Sequence, residues 1–242
     1  MLRETIKFDG FCFAPAKRRA PIVAASNLAD NSMLSRLFRF LAPALIFGFA
    51  WITFVEASEQ GLPRTTHMTV GAEASIPYGW VDFCNRHSEE CTLGRLKPMD
   101  VRLTRQTWKI LNEINLQANN AIEPISNFDH WGTTLDHWDY PVDGKGDCKI
   151  YALFKRKLLV ERGFPRQALL MTIVRDRTGE GHAVLTVKTD RGDFILDNLT
   201  DDILPWNATG YQFYKRQAQY DPNVWLSLGG AVGTEPAEAA SK

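Results

Sequence analysis

The sequence predicts an α+β fold in which N-terminal helices pack on an antiparallel sheet. Three observations predict it. Residues 104–121 carry apolar side chains at a helical period, a second helical stretch follows Asp147, and three β-rich segments joined by tight turns lie between residues 168 and 199. Helices followed by strands with short connections belong to the α+β class rather than to alternating βαβ units. A chain of 242 residues is the size of one domain or two small ones, and 45% apolar residues suffice for a core. Its 28 Lys+Arg balance 28 Asp+Glu, so the basic surplus of a general nucleic-acid binder is absent. Four cysteines are too few for a disulfide-stapled miniprotein.

Residues 1–57 read as a leader ending in a signal peptide. Phe40–Val55 is an uncharged run preceded by Arg36 and Arg39 and followed by Glu56 and Ala57. A basic region, a short apolar stretch and a small-residue end are the three parts of a secretory signal. A membrane span needs about 20 apolar residues, and Pro43 and Gly48 interrupt this run; an inner-membrane anchor through residues 40–55 is the alternative. Met33 begins a conventional signal, so it is the candidate true start. Cleavage after Ala57 delivers residues 58–228 as one domain to the periplasm or the exterior, with 229–242, GGAVGTEPAEAASK, as a disordered tail.

The elements follow in order. Residues 58–80 are a Gly/Pro-punctuated lead-in. Cys84 and Cys91 lie close together in a polar loop, FCNRHSEEC, and are expected to form a disulfide after export; a zinc site with His87 lacks the usual fourth ligand. Trp108, Leu111, Ile114 and Ala118 set the first helix. Residues 127–146 form a loop dense in aromatics and acids. The second helix opens at Asp147 and stops at Gly163, with Pro165 just beyond. Segments 168–175, 182–189 and 194–199 form an antiparallel meander, with turns at Asp176–Gly181 and around Gly192.

Within this frame Cys148, His182 and Asp197 stand out. Cys148 sits in the first turn of its helix, where unpaired backbone N–H groups and the macrodipole favour a thiolate. No partner for Cys148 is evident in the mature chain. His182 opens a strand directly after Gly181, and Asp197 lies among apolar residues in the next strand. A carboxylate there requires a partner. Paired with His182, it would fix the imidazole tautomer and leave the other nitrogen for Cys148. Strand parity puts both side chains on one face. A turn at Arg191-Gly192 leaves them roughly 13 Å apart along the strand, whereas a turn at Thr189-Asp190 sets them directly opposite.

The stretches GDCKIYALFKRKLLVERGFP and VRDRTGEGHAVLTVKTDRGDFILDN resemble the bacterial transglutaminase-like cysteine peptidases. The GWVDFC…C segment, HWDYPVDGKGDC and WNATGY extend the resemblance over most of residues 76–228. It implies a papain-like or transglutaminase-like fold. Cys148 would be the nucleophile, His182 the general base and acid, and Asp197 the orienting carboxylate. The reaction implied is peptide hydrolysis through a thioester. Transglutaminase-type transfer to an amine, and a non-enzymatic envelope binding module that keeps the fold, are the alternatives. Trp138 and Tyr140, with Trp131, are candidate walls of a substrate cleft.

Some members of that family clip surface adhesins and hold calcium with acidic residues around the nucleophile. Here the corresponding run is Asp147-Cys148-Lys149-Ile150. Asp147 is the one retained oxygen ligand, and Lys149 and Ile150 disfavour calcium, which takes six to eight oxygens. The expectation is therefore no cofactor, with Lys149 standing in for the ion; Asp139 and Asp143 are the loop residues able to rebuild a site. The expected partner is a protein or peptide of the cell envelope, not nucleic acid, with a membrane-bound regulator as a further candidate and the oligomeric state open.

Overall fold

A computed structural model describes residues 61–92 and 94–228. The signal peptide, the Met33 start and the C-terminal tail lie outside the described residues. In chain order the elements are β1 (Val70–Ala74), α1 (Tyr78–Arg86), α2 (Arg105–Ala121), β2 (Glu123–Pro124), α3 (Asn127–Trp131), β3 (Lys145–Gly146), α4 (Cys148–Glu161), β4 (Leu169–Arg175), β5 (Gly181–Thr189), β6 (Gly192–Leu196), β7 (Leu204–Pro205), β8 (Gln212–Gln217) and β9 (Trp225–Leu228). The expected α+β class is the one observed. No helix among the described residues is long and apolar enough to cross a membrane.

Local chemistry explains the two main helices. Thr104 caps α2: its hydroxyl accepts from the Thr107 N–H at 3.1 Å while the Thr107 hydroxyl accepts from the Thr104 N–H at 2.8 Å. The buried face of α2 is Leu111, Ile114, Asn115 and Ala118, and Trp108 meets Phe194 edge-on at 5.4 Å. Asp147 caps α4, accepting from the Lys149 N–H at 3.2 Å. Gly163 follows the end of α4 with φ +83°, the left-handed conformation that glycine adopts freely. Most of α4 is buried, because one face meets the sheet while Tyr151 reaches back to α2 and donates to the Ile122 carbonyl at 2.6 Å.

Among the described residues the sheet has seven strands in the order β1-β9-β8-β4-β5-β6-β7, antiparallel throughout. The expected meander is its centre, β4-β5-β6. Every residue of β5 is buried, since both of its faces are covered. Ala183, Leu185 and Val187 join the cluster that contains Leu111, Ile114, Cys148, Ala152 and Leu153 of the helices. Val184 joins a second cluster with Met68, Val174, Ile195 and Leu228, against which Trp206, Tyr211 and Phe213 pack. The short parallel pair β2-β3 pins the end of α2 to the start of α4 through Glu123 N–H to the Gly144 carbonyl, 2.8 Å, and Ile125 N–H to the Gly146 carbonyl, 3.1 Å.

Three parts of the fold depart from the sequence reading. Cys84 belongs to α1 rather than to a polar loop, and β1, β8 and β9 extend the sheet beyond the meander. The aromatic 127–146 segment contains α3 and ends in β3.

Cys84 and Cys91 form a disulfide, with Cα atoms 5.7 Å apart. It ties α1 to the turn after it, and Asn223 fastens both to the C-terminal strands by accepting from the Trp80 indole N–H at 3.1 Å and donating to the Cys91 carbonyl at 3.0 Å. Mass spectrometry of non-reduced peptides should find the link. Cys84→Ser with Cys91→Ser should cost about 2 kcal/mol in urea unfolding, the loop-entropy value for so short a ring.

Candidate active site

Three of the expected site residues occupy elements that the core holds rigidly. Cys148 is the first residue of α4, fully buried behind its cap Asp147. The helix start supplies the electropositive end that stabilises a thiolate. Among the described residues no cysteine is free, Cys148 included.

His182 and Asp197 meet. The imidazole Nε2 lies 2.8 Å from Asp197 Oδ1, and both side chains are almost wholly buried. The observed register is neither of the two considered from sequence. The turn is Asp190-Arg191, with Thr189 opposite Gly192 and Leu185 opposite Leu196. Asp197, the residue just past β6, therefore falls level with Val184, on the same side of β5 as His182 and two residues away. Such diagonal neighbours are about 7–8 Å apart at the backbone, a span that an imidazole and a carboxylate bridge without a bulge.

The carboxylate is fully engaged. Oδ1 also accepts from the Leu199 N–H at 3.1 Å, and Oδ2 accepts from the Tyr211 hydroxyl at 2.5 Å. Burial alone would raise the Asp197 pKa; the charge and hydrogen bond of His182, the Tyr211 hydroxyl and the Leu199 N–H overcome it and hold the group down at about 2. With Asp197 ionised, the proton between the pair sits on Nε2. The Nδ1 nitrogen, itself buried, has no hydrogen-bond partner among the described residues, and in the neutral imidazole it is the one that carries the lone pair.

The expected cleft walls lie elsewhere. Trp138 is fully buried, edge-on to Trp80 at 6.1 Å and to Trp225 at 6.3 Å. It fits because Gly79 has no side chain: a Cβ there would meet the ring at 2.1 Å. Tyr140 is partly buried against Phe83, with Lys157 Nζ 4.7 Å from its ring centre. Of the three aromatics only Trp131 is exposed, flanked by His130 and His137. Both tryptophan and tyrosine serve the core here, as aromatic loop residues commonly do.

The acids of this region are spoken for. Lys149 is buried, with Nζ 2.8 Å from Asp136 Oδ1 and 2.5 Å from Asp147 Oδ2. Asp139 is bound by His87 at 2.8 Å, by Arg86 and by the Tyr140 N–H, and Asp143 by His130 at 2.9 Å and the Lys145 N–H at 3.0 Å. They do not converge on Asp147, and no group of three or more His, Cys, Asp or Glu able to hold a metal occurs among the described residues.

Two participants carried no sequence signal. Tyr211 reaches Asp197 and stands edge-on to His182 at 5.8 Å between ring centres, although it lies in an ordinary turn segment. Lys155, on the buried side of α4, has no hydrogen-bond partner among the described residues. Burial lowers its pKa to about 7 against the pull of Asp197 and Asp201.

The Asp197 shift has a stability consequence. A carboxyl whose folded pKa is depressed stabilises the fold above its unfolded pKa near 3.8, and that contribution disappears as pH falls through about 2. In urea unfolding between pH 5 and pH 2, the stability gap between wild type and Asp197→Asn should close by about 2 kcal/mol. A gap that does not change with pH would show that the carboxylate is not held ionised by this network.

No curated protein matches the chain. Among solved structures, Legionella pneumophila LapG is 29% identical over 49% of this chain and 68% of its own, with a TM-score of 0.42. The calcium-bound form of that protein is 24% identical over 55% of this chain and 76% of its own, TM-score 0.42, and the EGTA-treated form is 29% identical over 50% and 70%, TM-score 0.41. The family described as bacterial transglutaminase-like cysteine proteinase, BTLCP, matches residues 70–232, well over half of the sequence, and the chain belongs to that family of transglutaminase-like cysteine peptidases.

Proposed function

We propose that the protein hydrolyses peptide bonds through a thioester, with Cys148 as nucleophile, His182 as general base and acid, and Asp197 as the carboxylate that orients His182. The observation that carries this reading is the buried His182–Asp197 pair. It fixes one imidazole nitrogen by a 2.8 Å hydrogen bond and leaves the lone pair of the other without a partner among the described residues. Packing of α4 on β5 brings the Cys148 helix against the His182 strand.

The steps follow from those positions. The reduced Cys148 thiol gives its proton to His182 Nδ1, and the thiolate adds to the peptide carbonyl. The backbone N–H of Cys148, at the helix start, supplies one contact to the oxyanion. As the tetrahedral adduct collapses, Nδ1–H protonates the leaving amine and a thioester remains. Nδ1 then takes a proton from water, which attacks the thioester and releases the acid and the thiol. Asp197 stays ionised throughout and stabilises the imidazolium. Tyr211 holds the second oxygen of Asp197, so the carboxylate cannot swing away from Nε2.

We further infer that the substrate is a protein of the cell envelope and that the enzyme works after export. The Cys84–Cys91 disulfide supports an oxidising compartment, and the basic–apolar–small pattern of residues 33–57 supports a signal. Calcium, present in one of the LapG structures, does not fit the residues here: Asp147, which precedes Cys148, and Asp136 already share the Lys149 ammonium group, and the side chain of Ile150 offers no oxygen. We therefore assign the reaction to side chains alone.

Two outcomes test this. In a reducing buffer Cys148→Ala should lose about 10⁴-fold or more in kcat/KM on a protein substrate while its unfolding free energy stays within about 1 kcal/mol of wild type, since alanine suits the first helical turn. Retained activity in a stably folded variant would remove Cys148 from the mechanism. Wild-type activity should also be the same in EGTA as in millimolar calcium; loss in EGTA with recovery on adding calcium would show a bound ion.

A further inference from the structure

Lys149 is the second residue of α4, one position after the nucleophile, and its side chain is almost completely buried. Lysine is rarely buried to this degree without ionic partners, and here it has two. Nζ lies 2.8 Å from Asp136 Oδ1 and 2.5 Å from Asp147 Oδ2. The remaining oxygens are fixed by the protein: Asp136 Oδ2 accepts from the Trp138 indole N–H at 2.7 Å, and Asp147 Oδ1 accepts from the Lys149 backbone N–H at 3.2 Å. Each carboxylate thus turns one oxygen to a shared cation and has the other locked. Burial would strip the Lys149 proton, but the two carboxylates more than offset it and hold the ammonium charged.

This is the arrangement of a small cation site filled by a side chain. Two acids from separate segments, the 132–144 loop and the start of α4, converge on one positive centre. That centre also links the loop to the helix turn that carries Cys148. A divalent ion between the same oxygens would need several more oxygen ligands, and no group of three or more His, Cys, Asp or Glu able to hold a metal occurs among the described residues.

We propose that the Lys149 ammonium is a built-in counter-cation, which holds Asp136 and Asp147 together beside Cys148 by ion pairing and takes, as part of the chain, the place that a bound calcium ion would otherwise fill. This rests on reading the site as free of metal, but not on the assignment of the catalytic triad. Replacing the ammonium by a ligand oxygen should then turn a calcium-indifferent protein into a calcium-requiring one. A lysine that merely fills space would give no such exchange.

The experiment compares wild type and Lys149→Glu by thermal unfolding and by calorimetric titration with calcium chloride. Wild type should show no calcium-dependent change in Tm and no binding heat at 1:1 stoichiometry. Lys149→Glu in EGTA should melt roughly 10 °C lower, the cost of three clustered carboxylates, two of them buried, without a cation, and should regain most of that in millimolar calcium with one ion bound. A Lys149→Glu protein that neither loses stability in EGTA nor responds to calcium would overturn the proposal. One calcium bound to wild type would overturn instead the metal-free reading on which it rests. Should Lys149→Glu fail to fold in both buffers, Lys149→Met is compared with Lys149→Met combined with Asp136→Asn and Asp147→Asn. The proposal requires the neutral triple variant to be the more stable of the two, and equal stability would refute it.

Discussion

The hydrogen bond between His182 and Asp197 is the contact on which the candidate site depends. Burying a carboxylate and an imidazole together is unfavourable unless each is satisfied, and the fold supplies what is needed from four directions. The Asp190-Arg191 turn sets the register of β5 on β6. The chain leaves β6 at Leu196, which frees Asp197 to angle towards His182 and lets the Leu199 N–H fold back onto it. Tyr211, arriving from the segment before β8, closes the second oxygen. On the other side Asn119 of α2 donates to the Asp197 carbonyl at 3.0 Å and to Asp201 at 3.1 Å, which fixes the loop that carries the acid. A shift of one residue in the hairpin would point Asp197 to the opposite face.

The helix that begins at Cys148 is held by a different set of forces. Its start is pinned by the β2-β3 pair, by the Asp147 cap and by the Lys149 ion triad, and its body by apolar contacts with the sheet on one side and Ile122 on the other. Polar anchoring at one end and apolar packing along the length divide the work sensibly. The end that carries Cys148 needs directional contacts if its angle is to be fixed, because hydrophobic burial alone does not fix the angle of a helix start.

Much of this could be read from the residues. The α4 limits were legible because Asp147 and Gly163 are end signals independent of tertiary context, and α2 because Leu111, Ile114 and Ala118 keep a helical period. The pairing of His182 with Asp197 was legible from strand parity and from an acid in an apolar strand. The exact pairing was not, since a one-residue change in turn position is nearly invisible in a sequence where Thr189, Asp190, Arg191 and Gly192 all tolerate turns. Trp138 was misjudged because its burial depends on Gly79, far away in the chain. Tyr211 was missed because only the folded chain brings it to Asp197. Strands β1 and β8 were missed because β1 is short and mostly exposed, and β8 is rich in polar residues such as Gln212 and Lys215, which give weak alternation. Lys149 was legible as a departure from the family pattern, but its partner Asp136 became visible only in three dimensions.

The central claim is that His182, oriented by Asp197, activates the Cys148 thiol. The measurement that tests it most directly is the pH dependence of iodoacetamide alkylation of Cys148 in reduced protein, for wild type and His182→Ala. The account predicts rapid alkylation of wild type with an inflection well below the ordinary thiol value of about 8.5, moving up towards that value in His182→Ala. Slow alkylation with an inflection at or above 8.5, unchanged by His182→Ala, would contradict it.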